Sequence, residues 1–189
     1  MKVGIVCAFD TYFDRVALLK EFYQKRAQVK VIASDFSHRK KEKNRESSLV
    51  DEWIDTKPYH KNLSVARLTS HYDFSKKAEK LLEAETWDVL HVFVPCNSLV
   101  KFMALIKHKQ PKTKLIFDLI DLWPETMPIS KFKNVFPFTL WKQIRDKDLD
   151  QADLIFTECK LYQQVLQKED NEKYKVLYWA RQEKPLESH

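Results

Sequence analysis

The sequence predicts an α/β domain with helices on both faces of a mostly parallel sheet of about seven strands. Three observations carry this. Short apolar strand-like runs alternate along the chain with segments of helical period, the pattern of parallel βαβ units. The chain has 189 residues, 44% of them hydrophobic, enough for one substantial core. No run of 18 apolar residues suggests a membrane span, and the N-terminus enters a strand at once, without the pattern of a signal peptide.

Taken in order, Val3 to Ala8 reads as the first strand and Tyr12 to Lys25 as a helix, with Val16, Leu19 and Phe22 or Tyr23 at helical spacings. Val29 to Ala33 is the second strand. Phe36 to Ser48 is charged, a loop or the exposed start of a helix. Trp53 to Thr56 is a short third strand, and Leu63 to Ala84 turns helical in its later part, around Ala78, Leu81 and Leu82. Val89 to Val94 is a strong strand stopped by Pro95. Asn97 or Ser98 is placed to cap a helix reaching Lys109. Lys114 to Leu119 is the fifth strand. Pro128 and Pro137 argue for an irregular crossing between them, before a helix from Phe138 to Asp150. Ala152 to Phe156 is the sixth strand, Thr157 is placed to cap a helix from Glu158 to Lys168, and Lys175 to Trp179 is the last strand. The domain is expected over 1–180, with 181–189 as a polar tail or the start of a linker.

Composition excludes several chemistries. Gly4 is the only glycine, so neither G-x-G-x-x-G nor a P-loop exists, and the standard pyrophosphate seat of a dinucleotide-binding domain is absent. Cys7, Cys96 and Cys159 have no metal spacing and fit a reducing compartment better than a disulfide framework. No zinc-type cluster and no G-x-S-x-G elbow occurs, and no metal ligand is assigned. The formal charge is +6, but many acids accompany the bases and no recognition motif appears, so nucleic acid is not the expected partner.

In an open parallel sheet, ligands gather beyond the carboxyl ends of the strands. Asp121, Trp123 and Glu125 are delivered there in one loop. Their carboxylates can orient sugar hydroxyls and the indole can cover a sugar face; equally, Asp121 can cap a turn and Trp123 can close the core. Asp10 and Thr11 follow the first strand, placed either to bond a substrate or to cap a helix. Arg15 lies one turn further on, within reach of an anion or simply on the surface. His38 and the basic residues Arg39, Lys40, Lys41, Lys43 and Arg45 are placed for phosphate or an anionic bilayer, or form a solvated loop. His91 reads as a packed, hydrogen-bonded core histidine, and Cys7 and Cys96 as buried. Tyr59, Arg67 and His71 have no diagnostic spacing. No catalytic residue is assigned.

The order of elements, with Lys2 to Ala8, Val29 to His38, Trp87 to Val94, Ala152 to Glu158 and above all Phe117 to Glu125 with its Asp-x-Trp-Pro-Glu segment, resembles the N-terminal half of retaining glycosyltransferases. These are the two-Rossmann-domain, GT-B type, family 4-like enzymes of bacterial exopolysaccharide or surface-glycan synthesis. The resemblance implies a Rossmann-like three-layer domain that binds the acceptor, a surface glycan or lipid-linked sugar. It implies Asp121 and Glu125 as acceptor-orienting groups, Trp123 shaping the cleft, and Asp10, Thr11, Arg15 and His38 on its rim. It also implies no cofactor in this chain: the nucleotide-sugar donor would be held mainly by a C-terminal domain or separate subunit beyond it. The fragment alone would then be inactive, and its expected place is the cytoplasm, with peripheral contact at the inner face of the membrane. The alternatives are a non-catalytic partner subunit of a split glycosyltransferase and an unrelated small-molecule-binding α/β domain.

Overall fold

The computed structural model describes residues 1–127, 136 and 138–179. It contains seven strands, β1 (Lys2–Cys7), β2 (Gln28–Ser34), β3 (Glu52–Ile54), β4 (Val89–Val94), β5 (Lys114–Leu119), β6 (Leu154–Thr157) and β7 (Tyr174–Val176). Five α-helices accompany them: α1 (Phe13–Gln24), α2 (Val65–Glu83), α3 (Ser98–Lys109), α4 (Phe138–Leu149) and α5 (Lys160–Leu166). The strands form one sheet in the order β3-β2-β1-β4-β5-β6-β7, and every pairing is parallel. The fold is therefore the Rossmann-like α/β class expected, with a fully parallel sheet. The expected crossing between Pro128 and Pro137 and the tail at 181–189 lie outside the described residues.

The apolar runs of the central strands supply both faces at once, as strands buried on two sides require. Val3, Ile5 and Cys7 of β1 face a cluster with Val16, Leu19 and Tyr23 of α1. Val6 points the other way, into the larger cluster with Phe74, Ala78 and Leu82 of α2 and Leu99, Met103 and Ile106 of α3. Gly4 shares that second face. A Cβ there would lie 2.8 Å from Leu90 Cδ2 and 3.1 Å from the Trp87 ring, so the lone glycine serves core packing and not phosphate binding. With glycine spent there, residues with side chains take the positive-φ turns: Lys41 (61°), Cys96 (147°) and Gln167 (55°).

Two capping expectations are corrected. The side chain that caps α2 is Ser64, whose Oγ accepts from the Arg67 backbone N–H at 3.2 Å. Asn97 precedes α3 but makes no capping bond; its amide donates instead to the Trp123 and Trp141 carbonyls, both at 3.0 Å. Thr157 is not a cap either. It is the buried last residue of β6, and Cys159 precedes α5. In both cases a long-range or strand role took a residue whose local pattern suited a helix start.

Candidate functional site

All strands point their carboxyl ends to one edge, so the turns after β1, β2, β4 and β5 meet there. Phe9, 4% exposed, sits at the centre. Its ring lies edge-on to Tyr12, His38, His71 and Trp123, at centroid distances of 6.1, 5.2, 5.3 and 5.7 Å. Trp123 is partly exposed, nearly parallel to the His71 ring and edge-on to Trp141. The Trp123 carbonyl is pinned by the Asn97 amide at 3.0 Å and by Arg145 Nη1 at 2.9 Å, so the loop that carries the indole is anchored from below.

Arg67 lies among these rings. It is 2% exposed, and its guanidinium sits 3.9 Å from the Trp123 ring centroid, with Tyr59 and Trp141 further off at 5.9 and 5.8 Å. Among the described residues no carboxylate pairs with it. Nη1 donates to the Asn62 carbonyl at 3.0 Å, Nε reaches His71 Nε2 at 3.4 Å, and Nη2 is buried with no hydrogen-bond acceptor. Aromatic faces supply the electron density that a carboxylate would otherwise provide. Burial, and then the Arg67 charge, keep the His71 imidazole well below its ordinary pKa. The same causes, in the same order, bring His38 down to about 4. His38 Nδ1 shares a 2.6 Å hydrogen bond with the Tyr59 hydroxyl. Among the described residues the edge thus holds a buried cation without a carboxylate partner, Arg67, beside two imidazoles that are neutral at neutral pH.

His38 has a folded pKa of about 4 against an ordinary 6.5, so below 6.5 the unfolded chain binds a proton that the native chain refuses. Stability from this group is full above pH 6.5 and is lost as pH falls towards 4. Urea midpoints measured between pH 7 and 4 should fall less in His38→Gln than in the parent chain; equal falls would contradict the assignment.

The residues expected from sequence divide clearly. Asp121 is partly exposed and accepts a hydrogen bond from Thr126 Oγ1, so it closes its own turn. Glu125 is engaged by Arg145 through two bonds of 2.9 and 2.8 Å, with Lys142 nearby at 3.5 Å, which makes it a strut of the loop. Arg15 is neither on a rim nor on the surface. At 4% exposure it grips the buried Asp118 with two 2.8 Å bonds and donates to the Leu177 and Tyr178 carbonyls. Asp10 opens a short 3₁₀ turn, Asp10–Tyr12, and caps nothing; Thr11 lies in the same turn. Two of the basic residues are also spoken for. Lys43 and Arg45 neutralise the buried Asp35, at 2.8 and 3.0 Å, so they do not form a free cationic face. Lys41 lies over the Tyr59 ring, and Lys40 stands 4.0 Å from Glu42; Arg39 and Lys40 are exposed.

His91 is buried as expected, bonded to the Tyr23 hydroxyl at 3.0 Å, and Cys7 and Cys96 are fully buried. Burial raises both thiols, Cys7 to about 12, which removes thiolate chemistry from them. The sequence reading names Arg67 and His71 but assigns them no role. The available signal was their i, i+4 spacing just after a Ser64 cap, which puts both on one face of a helix starting at the carboxyl edge of the sheet. Beside them, α2 and α4 contribute Leu68, Tyr72, Leu140, Trp141 and Ile144 to the lining of a cleft of about 460 Å³.

The fold finds its match among solved structures. The chain is similar in fold to UDP-N-acetylglucosamine 2-epimerases. One such enzyme aligns over 93% of this chain and 47% of its own, at 15% identity and a TM-score of 0.58. The enzyme from Methanocaldococcus jannaschii aligns over 96% of this chain and 46% of its own, at 14% identity and a TM-score of 0.56. CetZ from Methanosaeta thermophila follows, over 90% of this chain and 50% of its own, at 11% identity and a TM-score of 0.51. At these identities the likeness is one of fold, and the chain spans about half the length of these structures. No protein-family model and no curated protein matches the sequence. Among the described residues, no group of three histidine, cysteine or acidic side chains is placed to hold a metal ion, and no helix is long and apolar enough to cross a membrane.

Proposed function

We propose that the chain is the acceptor-binding, N-terminal half of a sugar-nucleotide enzyme, and specifically of a glycosyltransferase that carries a sugar to a surface-glycan or lipid-linked acceptor. The observation that carries this reading is the Trp123 loop: an anchored, partly exposed indole at the carboxyl edge of the sheet, backed by the Arg67 guanidinium. An indole face held rigid in this way suits the apolar face of a sugar ring, and a fixed platform lowers the entropy cost of orienting an acceptor hydroxyl. The fold likeness to half of the UDP-N-acetylglucosamine 2-epimerases supports a nucleotide-sugar setting, with the donor seated mainly by a second domain or subunit. Trp123, not the carboxylates of Asp121 or Glu125, then does the acceptor-facing work, since Asp121 is bonded by Thr126 in its own turn and Glu125 is held by Arg145 of α4. Arg39 and Lys40 are the basic residues left to meet an anionic surface.

The test is a transfer assay on the complete enzyme, the chain together with its donor-binding half, using a labelled nucleotide-sugar and a lipid-linked acceptor. Trp123→Ala should lower acceptor-dependent transfer about 10- to 100-fold while far-ultraviolet circular dichroism stays unchanged. The chain of 189 residues alone should show no turnover, because on this reading the donor-binding half supplies the wall that closes the cleft against water. Unchanged transfer by the variant would sink the role of Trp123. Conversion of the nucleotide-sugar without any acceptor would sink the transferase reading and favour an isomerising enzyme.

A further inference from the structure

A second cavity opens on the same edge, over β1, β2 and β3, away from the Trp123 loop. It holds about 230 Å³ and is lined by Asp10, Phe13, Ser37, Asn44, Glu46 and Trp53, together with Ser34, Phe36 and Ser47. That is below the roughly 300–1,000 Å³ of pockets for drug-sized ligands and suits a single ring. Phe13 and Trp53 form a tilted aromatic pair in its wall, 6.3 Å between centroids.

The polar lining is unusual in what it leaves open. Asp10 Oδ1 is buried and receives no hydrogen bond, and among the described residues neither Asp10 nor Glu46 has a cationic partner. The nearby cations Lys43 and Arg45 are turned to Asp35. Asn44 Oδ1 accepts from the Glu46 backbone N–H at 3.0 Å, which leaves its amide protons to donate. Ser37 Oγ accepts from the Lys40 N–H at 3.2 Å and Ser47 Oγ from the Leu49 N–H at 3.3 Å, so both hydroxyl protons are likewise available. The cavity therefore presents two carboxylate acceptors, three groups able to donate, and an aromatic wall.

Ligand chemistry follows from that set. A phosphate or carboxylate would accept from the donors but be repelled by Asp10 and Glu46. An ammonium would satisfy the carboxylates but leave the amide and hydroxyl donors without an acceptor, at a cost on burial. A hydroxyl both donates and accepts, so a ring carrying several of them meets the whole lining, with its apolar face against Trp53.

We infer that this cavity is a binding subsite for one neutral glycosyl residue, held by hydrogen bonds from its hydroxyls to Asp10 and Glu46 and to them from Asn44. That the residue belongs to the acceptor rests on the function proposed above; the binding itself does not.

The test follows the Trp53 indole N–H resonance of the ¹⁵N-labelled chain. The probes are methyl α-D-glucopyranoside, methyl α-D-mannopyranoside and methyl α-D-galactopyranoside, with inorganic phosphate and ethanolamine as the anionic and cationic counterparts. At least one glycoside should shift the resonance saturably, with a dissociation constant on the order of 1–10 mM, as a single weakly buried ring allows. Phosphate and ethanolamine should leave it unmoved. Asp10→Asn combined with Glu46→Gln should weaken glycoside binding at least about tenfold, while the Trp87 indole resonance, in the core, reports an intact fold. No saturable shift with any glycoside, a shift with phosphate or ethanolamine instead, or glycoside binding unaltered in the double variant would each overturn the inference. Glycoside binding here with no transfer by the complete enzyme would keep this subsite and discard the transferase reading. Transfer without binding here would do the reverse.

Discussion

Arg15→Met is expected to destabilise the chain by about 3–5 kcal/mol, the cost of leaving one member of a buried ion pair alone. Asp118 is 0% exposed and takes both of its strong bonds from Arg15, Nε to Oδ2 and Nη2 to Oδ1, each 2.8 Å. His91 Nε2 stands 3.4 Å from the same carboxylate, too far to replace them. The variant also strips the Leu177 carbonyl of a 3.0 Å donor, so the segment after β7 loses its tie to α1. Urea unfolding followed by circular dichroism measures the loss. Removing both charges, as in Arg15→Met with Asp118→Leu, should recover a large part of it, because the desolvation penalty of the lone carboxylate disappears with the carboxylate. A loss below about 1 kcal/mol for the single variant would show that water or another group reaches Asp118 on rearrangement.

The second large effect lies at the Trp123 loop. Arg145 is 0% exposed and makes four bonds: two to Glu125, one of 2.9 Å to the Trp123 carbonyl and one of 2.7 Å to Asp146. Arg145→Met should cost about 3 kcal/mol or more and loosen the indole platform at the same time. Burial pushes the Glu125 carboxyl up, but the Arg145 hydrogen bonds and charge outweigh it and hold the pKa below the ordinary 4.5. With the folded value depressed, this pair stabilises the chain above pH 4.5 and its contribution is lost as pH falls below that. The parent should therefore lose stability in that acid window more steeply than Glu125→Gln does. If Glu125 instead held the acceptor directly, Glu125→Gln would raise the acceptor KM with no change in unfolding midpoint, and that result would reverse the assignment made here.

Much of the architecture is legible in the amino-acid sequence. Each expected strand lies within a few residues of an observed one, because a strand buried on both faces writes itself as a short apolar run between breakers, as in Val89 to Val94 before Pro95. The helices are legible through their period, except the first turns of α2, since Leu63 to Ala84 reads as helical only in its later part and the structure is helical from Val65. The absence of a phosphate loop is legible too, since it needs only the count of glycines.

The roles of single polar residues are not legible in the same way. Arg15 reads as a rim or surface residue until the fold brings it to Asp118, 103 positions away. Glu125 reads as a ligand group until α4 returns Arg145 beneath it, 20 positions on. Asn97 and Thr157 read as caps until tertiary contacts take one and β6 takes the other. Local pattern determines which segments become strands and helices, because apolar periodicity acts over one or two turns. Which acid meets which base is decided only when the sheet closes, because a buried charge must find its partner wherever the packed chain puts one.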